Sequence, residues 1–437
     1  MDTPSAATNT AREQPSLVRG VSRWQIVGLA VNDVIGSGVY LLPAAAALLL
    51  GGFSILAVVA AGFAVALLVL CFAEAASYFD ETGGAYLFTR EAFGDFVGFE
   101  VGWMTWLARI ASVASLSAGF ALATSYLWPA AAEGWTRAAV ITVPLILLTL
   151  INVVGVKPGA RVAVGLAVAK TIPLLIFVGI GIFAVDWDLI ANAGSPVSGS
   201  LGEATLLLLF AYAGFENTTA PAGEYKNPQR DVPFALLTMI AGVTILYTLV
   251  QIVALGTLPG LADSQSPLAD SATVFLGAGA GILMTVGAMV SIEGNVGNTI
   301  LVGPRYLFAL AKDGYGPRAF ARVHPTYRTP AIAIVTQTAI ALVLALSGTF
   351  VGLAMLSIIA RLATYIGTAA AVPILRKRFG HRPGFRIPGG YLVPALALGI
   401  CVIFLASATL VNLAAGVLAL AIGAVLYTFR RPVTDRP

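Results

Sequence analysis

Apolar runs of the length needed to cross a lipid bilayer recur from one end of this 437-residue chain to the other, and no other feature restricts its fold as tightly. A spanning helix needs roughly 20 mostly apolar residues. Such runs lie at 24–49, 53–78, 95–128, 136–154, 161–184, 201–224, 232–258, 271–311, 331–347, 351–375, 391–410 and 412–430. They are continuous and do not alternate, which excludes a β-barrel. The third and eighth exceed a simple crossing and are expected to tilt or to project beyond the membrane. Between the second and third, Phe79 to Asp95 is too polar to span and reads as a short interfacial helix. The expectation is an all-α integral membrane protein with about twelve transmembrane helices.

Only 11% of the residues are charged and 58% are hydrophobic, whereas a soluble domain carries about a quarter charged residues. A soluble enzyme, a nucleic-acid binder and a secreted disulfide scaffold are thereby excluded; the bilayer is the expected surrounding. Cys71 and Cys401 both lie inside apolar runs, and the only histidines, His324 and His381, fall in polar loops. Neither a metal site nor a cofactor is indicated. The first residues, Met1 to Pro15, are polar and lack the form of a cleaved signal, so residues 1–20 read as a disordered tail. Twenty of the 25 lysines and arginines fall on one set of alternating connections, four lie within spans and Arg137 alone lies on the other set. Cytoplasmic loops carry this excess, which places both termini in the cytoplasm.

Two spans carry interruptions. The first contains Asp33-Val34-Ile35-Gly36-Ser37-Gly38-Val39-Tyr40, then Pro43. Two glycines flanking a serine invite local unwinding, although small residues also serve close helix packing. The sixth span, five later, contains Phe210-Ala211-Tyr212-Ala213-Gly214-Phe215-Glu216-Asn217, then Pro221 and Gly223. A repeat of five helices must be inverted in the membrane, and paired interruptions in corresponding helices point to a midplane binding site. The free amides at a half-helix N-terminus suit an anionic group such as a substrate carboxylate.

At these residues the sequence resembles the amino acid–polyamine–organocation (APC) transporters, over residues 20–430. The matching strings are Gly36-Ser37-Gly38-Val39 with Leu41-Leu42-Pro43, Gly83-Gly84-Ala85-Tyr86, Phe210 to Glu216, Lys226-Asn227-Pro228-Gln229-Arg230, and Pro304-Arg305-Tyr306-Leu307-Phe308-Ala309 with Asp313-Gly314. The resemblance implies a LeuT-like 5+5 inverted repeat with broken helices 1 and 6, two peripheral helices, and alternating access. It divides the chain into a ten-helix core at 21–377, with repeats at about 24–184 and 201–377, and a peripheral pair with a short tail at 378–437. In the resemblance, Val34, Ser37 and Gly38 contact the substrate's α-amino and carboxylate groups, Phe210 is an aromatic gate, Ala213 offers a carbonyl, and Glu216 takes part in gating.

Charges within a span are functional candidates by default. Here they are Asp33, Glu74, Glu100, Arg109, Lys170, Glu216, Glu293, Arg305 and Arg361. For Glu74, Glu100 and Arg305, near helix ends, a structural ion pair is the preferred reading. Lys170 resembles the lysine that sodium-independent APC members place between spans one and eight, where an ammonium stands in for Na⁺ and can couple transport to protons. Arg109 and Arg361 sit mid-span in helices that line the side-chain pocket in this family. Unpaired, they would favour an acidic amino acid; paired with Asp33 or Glu216, they leave a neutral pocket, which is the preferred expectation. The expected function is sodium-independent transport of a neutral amino acid across a cell inner membrane, by exchange or proton coupling, with no enzymatic step. A sodium symporter, a polyamine or cationic amino acid antiporter, and a non-transporting sensor or channel are the rivals.

Overall fold

The computed structural model describes residues 21–79, 83–155, 160–194, 196–197, 199–220, 222, 225–380 and 384–430, without the side chains of 160–164 and 166. The expected N-terminal tail, the end of the C-terminal tail, and Pro221 and Gly223 of the sixth span lie outside the described residues. In chain order the helices are α1 (Arg23–Val34), α2 (Ser37–Leu50), α3 (Ser54–Ser77), α4 (Gly84–Phe93), α5 (Asp95–Ser125), α6 (Gly134–Val154), α7 (Ala160–Gly181), α8 (Trp187–Ala191), α9 (Ser200–Tyr212), α10 (Pro228–Thr257), α11 (Pro267–Leu276), α12 (Ala278–Lys312), α13 (Ala331–Ser347), α14 (Phe350–Phe379), α15 (Leu392–Ala406) and α16 (Leu410–Thr428). Among the described residues only an isolated bridge between Val21 and Tyr225 has β character.

Eight stretches are long and apolar enough to cross a membrane, one of them, Ser37–Ser77, holding the two legs α2 and α3; α9, α13 and α15 are shorter apolar helices. The twelve runs read from the sequence coincide with these segments, and the interfacial helix expected between the second and third is α4. One expectation needs correction. The eighth run is not one long tilted helix: Gly277, at φ 82°, ends α11 and caps α12. Both halves are apolar, so hydropathy alone could not place the boundary. The short α8, between α7 and α9, was likewise not anticipated; its start is marked only by Asp186, which accepts from the Asp188 amide.

Burial separates core from periphery. The apolar window of α5 is 78% buried, that of α16 only 6%. Down its length α5 meets the antiparallel α14 through a ladder of hydroxyls, Thr105 to Thr364 at 2.8 Å and Ser112 to Ser357 at 2.7 Å, and then the Ser115 hydroxyl donates to the Phe350 carbonyl at 2.9 Å. Small polar residues let helix backbones approach closely where no water can drive them together. On the outer side, Leu410, Val411, Val417 and Leu418 of α16 stand exposed, as a lipid-facing helix requires. Where it docks, the Trp103 indole donates to the Ala419 carbonyl at 2.9 Å, Gly423, its one buried residue, sits against Glu100, and the Tyr427 ring packs on Phe96, Phe99 and Tyr315.

Candidate functional site

Both interruptions are real breaks, and they face each other. α1 ends at Val34 and α2 starts at Ser37, with Ile35 extended between them. The amides of the first turn of α2 therefore have no carbonyl one turn back. α9 ends at Tyr212; Ala213 is extended and Gly214, at φ 122°, turns the chain into a 3₁₀ segment, Phe215–Thr219. Only glycine adopts that conformation without strain, and a Cβ there would lie 2.6 Å from the Asp33 carbonyl oxygen. Gly38 is held equally close: a Cβ would lie 2.5 Å from Ala211 Cα. Its smallness thus serves close helix packing, one of the two readings of these small residues in the sequence. The Tyr247 hydroxyl lies 3.2 Å from the Val34 carbonyl and 3.1 Å from that of Ala211, one proton shared between the two breaks.

A charged cluster lies beside the second break. Arg109 of α5 and Arg361 of α14 lie between the Thr105–Thr364 and Ser112–Ser357 rungs of the hydroxyl ladder and converge on Glu216. Arg109 Nη2 is 3.1 Å from Glu216 Oε1, and Arg361 Nη1 meets the same oxygen. The other carboxylate oxygen accepts from the Gly214 amide at 3.0 Å and from the Tyr365 hydroxyl at 3.4 Å. Arg361 Nη2 also donates to Ser112 Oγ at 2.8 Å. All three charged side chains are at most 6% exposed. Of the two partners considered for Arg109, Glu216 is the one it meets; the Asp33 carboxylate instead accepts from the Asn298 amide. Removing Glu216 would leave two guanidiniums uncompensated in the interior, the costly way to break a buried pair.

Lys170 closes the site from behind. Its ammonium donates to the Asn32 carbonyl at 2.6 Å and to Asn295 Oδ1 at 3.1 Å, and so spans the first and eighth runs. Asn295 in turn donates from its amide nitrogen to the Asp33 carbonyl at 3.3 Å, and the Ser291 hydroxyl to the Ile35 carbonyl at 3.1 Å. One face of α12 therefore meets two of the carbonyls that unwinding has freed in the first span, those of Asp33 and Ile35.

Between these groups lies one cavity. Val34, Ser37, Gly38, Phe210, Ala213, Arg109 and Arg361 all line it, whereas Lys170 and Glu216 stand behind the wall. The Phe210 ring meets Phe350 edge-on, centroids 6.0 Å apart. The sequence reading missed Asn217, Asn295 and Asn298, which also line it. A signal existed: Ser291, Asn295, Asn298 and Thr299 recur at helical spacing along a largely apolar run.

The remaining intramembrane charges behave unequally. Glu74 forms its ion pair, bidentate to Arg376 at 2.5 and 2.7 Å. The pairs expected for Glu100 and Arg305 do not form among the described residues: both Glu100 oxygens and Arg305 Nη1 are buried without a hydrogen-bond partner. Glu100 faces Gly423 and Trp103, which offer it no charge.

Comparison with known proteins agrees with this architecture. The amino acid permease family matches residues 21–432. The serine/threonine exchanger SteT of Bacillus subtilis strain 168 is 31% identical over 383 residues, 85% of this chain and 86% of the relative. The methylthioribose transporter of the same strain is 28% identical, covering 97% of this chain and 96% of the relative. Its branched-chain amino acid permease BcaP is 26% identical over 95% and 93%. With the match running from the start of α1 to the end of α16 and beyond, this multi-pass membrane protein belongs to the amino acid permease family.

Proposed function

We propose that the chain carries a neutral amino acid across a cell inner membrane by alternating access, without sodium, driven by exchange or by a proton gradient. The observation that supports it is the meeting of two broken helices at one cavity, with an ammonium group lodged between the first and eighth runs. The exposed first-turn amides of α2 suit the α-carboxylate. Val34 and Ala213 offer carbonyls to the α-ammonium, and Phe210 covers the cavity as a gate, with Glu216 tying Arg109 and Arg361 to the second break. Lys170 donates where a sodium ion would otherwise be coordinated, which argues for sodium independence, and it is the candidate coupling residue. The two repeats, 24–184 and 201–377, would rock against each other with both termini cytoplasmic, while 378–437 stays peripheral. The relatives that exchange serine and threonine or carry branched-chain amino acids favour an uncharged side chain.

A second reading draws on the same cluster: two guanidiniums share one carboxylate, so one positive charge stays available to an acidic side chain. Proteoliposome uptake decides between them. The expected result is amino acid accumulation that ignores a sodium gradient, responds to a pH gradient or to internal amino acid, and is inhibited by serine or leucine. Strong glutamate inhibition that disappears in Arg361→Ala would establish the second reading. Accumulation that tracks sodium, or inhibition by putrescine, agmatine or arginine alone, would overturn both.

A further inference from the structure

Among the polar groups around the cavity, most are satisfied by one another. Asn295 is bonded on both sides, Asn298 donates to Asp33, and Arg361 is held by Glu216 and Ser112. Ser37 Oγ, Arg109 Nε and Asn217 Oδ1 have no partner, and of these residues Asn217 alone is left with an atom that accepts and cannot donate. Asn217 sits in the 3₁₀ segment just past the second break, lines the cavity, and its amide nitrogen faces the Asp33 carboxylate. That contact fixes the orientation of the amide, because only its N–H groups can approach a carboxylate. The carbonyl oxygen, Oδ1, is then turned away; it is buried and has no hydrogen-bond partner. An orphaned acceptor inside a membrane protein is costly unless a donor arrives to meet it. Its neighbour Asp33 is a second acceptor, so Oδ1 and the carboxylate together present lone pairs to an incoming donor.

We propose that Asn217 is a specificity-determining residue: with Asp33 it forms an acceptor subsite that selects amino acids whose side chain brings a neutral donor, a hydroxyl or a carboxamide. This deepens the amino acid transport reading and rests on it. The neighbouring charges narrow the choice. Arg109 and Arg361 line the same cavity and repel a cationic side chain, while Asp33 and the acceptor beside it repel a carboxylate. An apolar side chain of the same shape enters but leaves Oδ1 unpaired, and sites built to bond a hydroxyl or N–H reject the analogue lacking it far more strongly than apolar pockets reject an extra group.

The test uses near-isosteric pairs on the purified full-length protein, by thermal-shift titration and by competition for proteoliposome uptake: threonine against valine, serine against alanine, asparagine against leucine. In the wild type the donor-bearing member of each pair is expected to act at about tenfold lower concentration or less. Asn217→Leu should bring valine level with or ahead of threonine, while Asn217→Ser, which keeps an acceptor, retains a preference for threonine. Valine matching threonine on the wild type overturns the subsite and leaves amino acid transport standing, as does a threonine-to-valine ratio unchanged by Asn217→Leu. If no amino acid binds or accumulates, the transport reading falls and this inference with it. The wild-type ratios hold the proposal to account even if a variant fails to fold.

Discussion

Lys170 makes both of its hydrogen bonds to other helices, to the Asn32 carbonyl and the Asn295 amide oxygen. Lys170→Ala would strip a donor from each, leaving two acceptors unmet at about 1–3 kcal/mol apiece. Uptake should fall about tenfold or more, and whatever pH dependence the wild type shows should flatten. Wild-type uptake with an unchanged pH profile would make the lysine merely structural. At this scale the sequence was most readable where a residue was out of place. A lysine or arginine in an apolar run announces itself, and so does a glycine flanked by polar atoms. The asparagines did not, because an uncharged polar residue barely disturbs hydropathy and its role depends on which carbonyls the fold brings opposite. Pairing with Glu216 was among the sequence expectations, but that both arginines share its one carboxylate was not, since that depends on how α5 and α14 align.

The two half-helices α2 and α9 cross at nearly van der Waals contact, with Gly38 over the backbone of Ala211. A methyl group at Gly38 would meet main chain, which cannot rotate aside, so Gly38→Ala must push the helices apart. Overpacking of this kind costs about 1–3 kcal/mol. The expected outcome is a lower melting temperature in detergent together with lost ligand-induced stabilisation; an unaltered melting temperature would mean the crossing is slack. Element boundaries were legible only to about a turn even where proline marks a change in polarity: the seventh run was read from 232, whereas α10 opens at Pro228, in the first helical turn. They were not legible inside the eighth run, where Gly277 divides two apolar helices and nothing in composition sets it apart from the glycines that α12 keeps within its length.

Across the whole molecule, α3, α14 and the connection to α15 meet at a buried junction. Besides its two bonds to Arg376, Glu74 accepts from the Ile387 amide at 2.8 Å, in the connection between α14 and α15. Glu74→Ala would leave Arg376 charged and unpaired, a loss of about 3–5 kcal/mol. The double variant Glu74→Ala with Arg376→Met should recover part of that in thermal melts; a double variant no better than the single would mean the connection depends on Glu74 alone. The hydroxyl ladder between α5 and α14 has a different consequence. Because Arg109 and Arg361 are mounted among its rungs, the spacing of the two guanidiniums is set like a vernier by the alignment of two helices. A slip of one helical turn, about 5.4 Å, would unmake the rungs together and draw the two positive charges out of step. The strength of the field in the cavity is therefore a matter of helix register, and a substitution far from any substrate, at Thr105 or Thr364, could retune it.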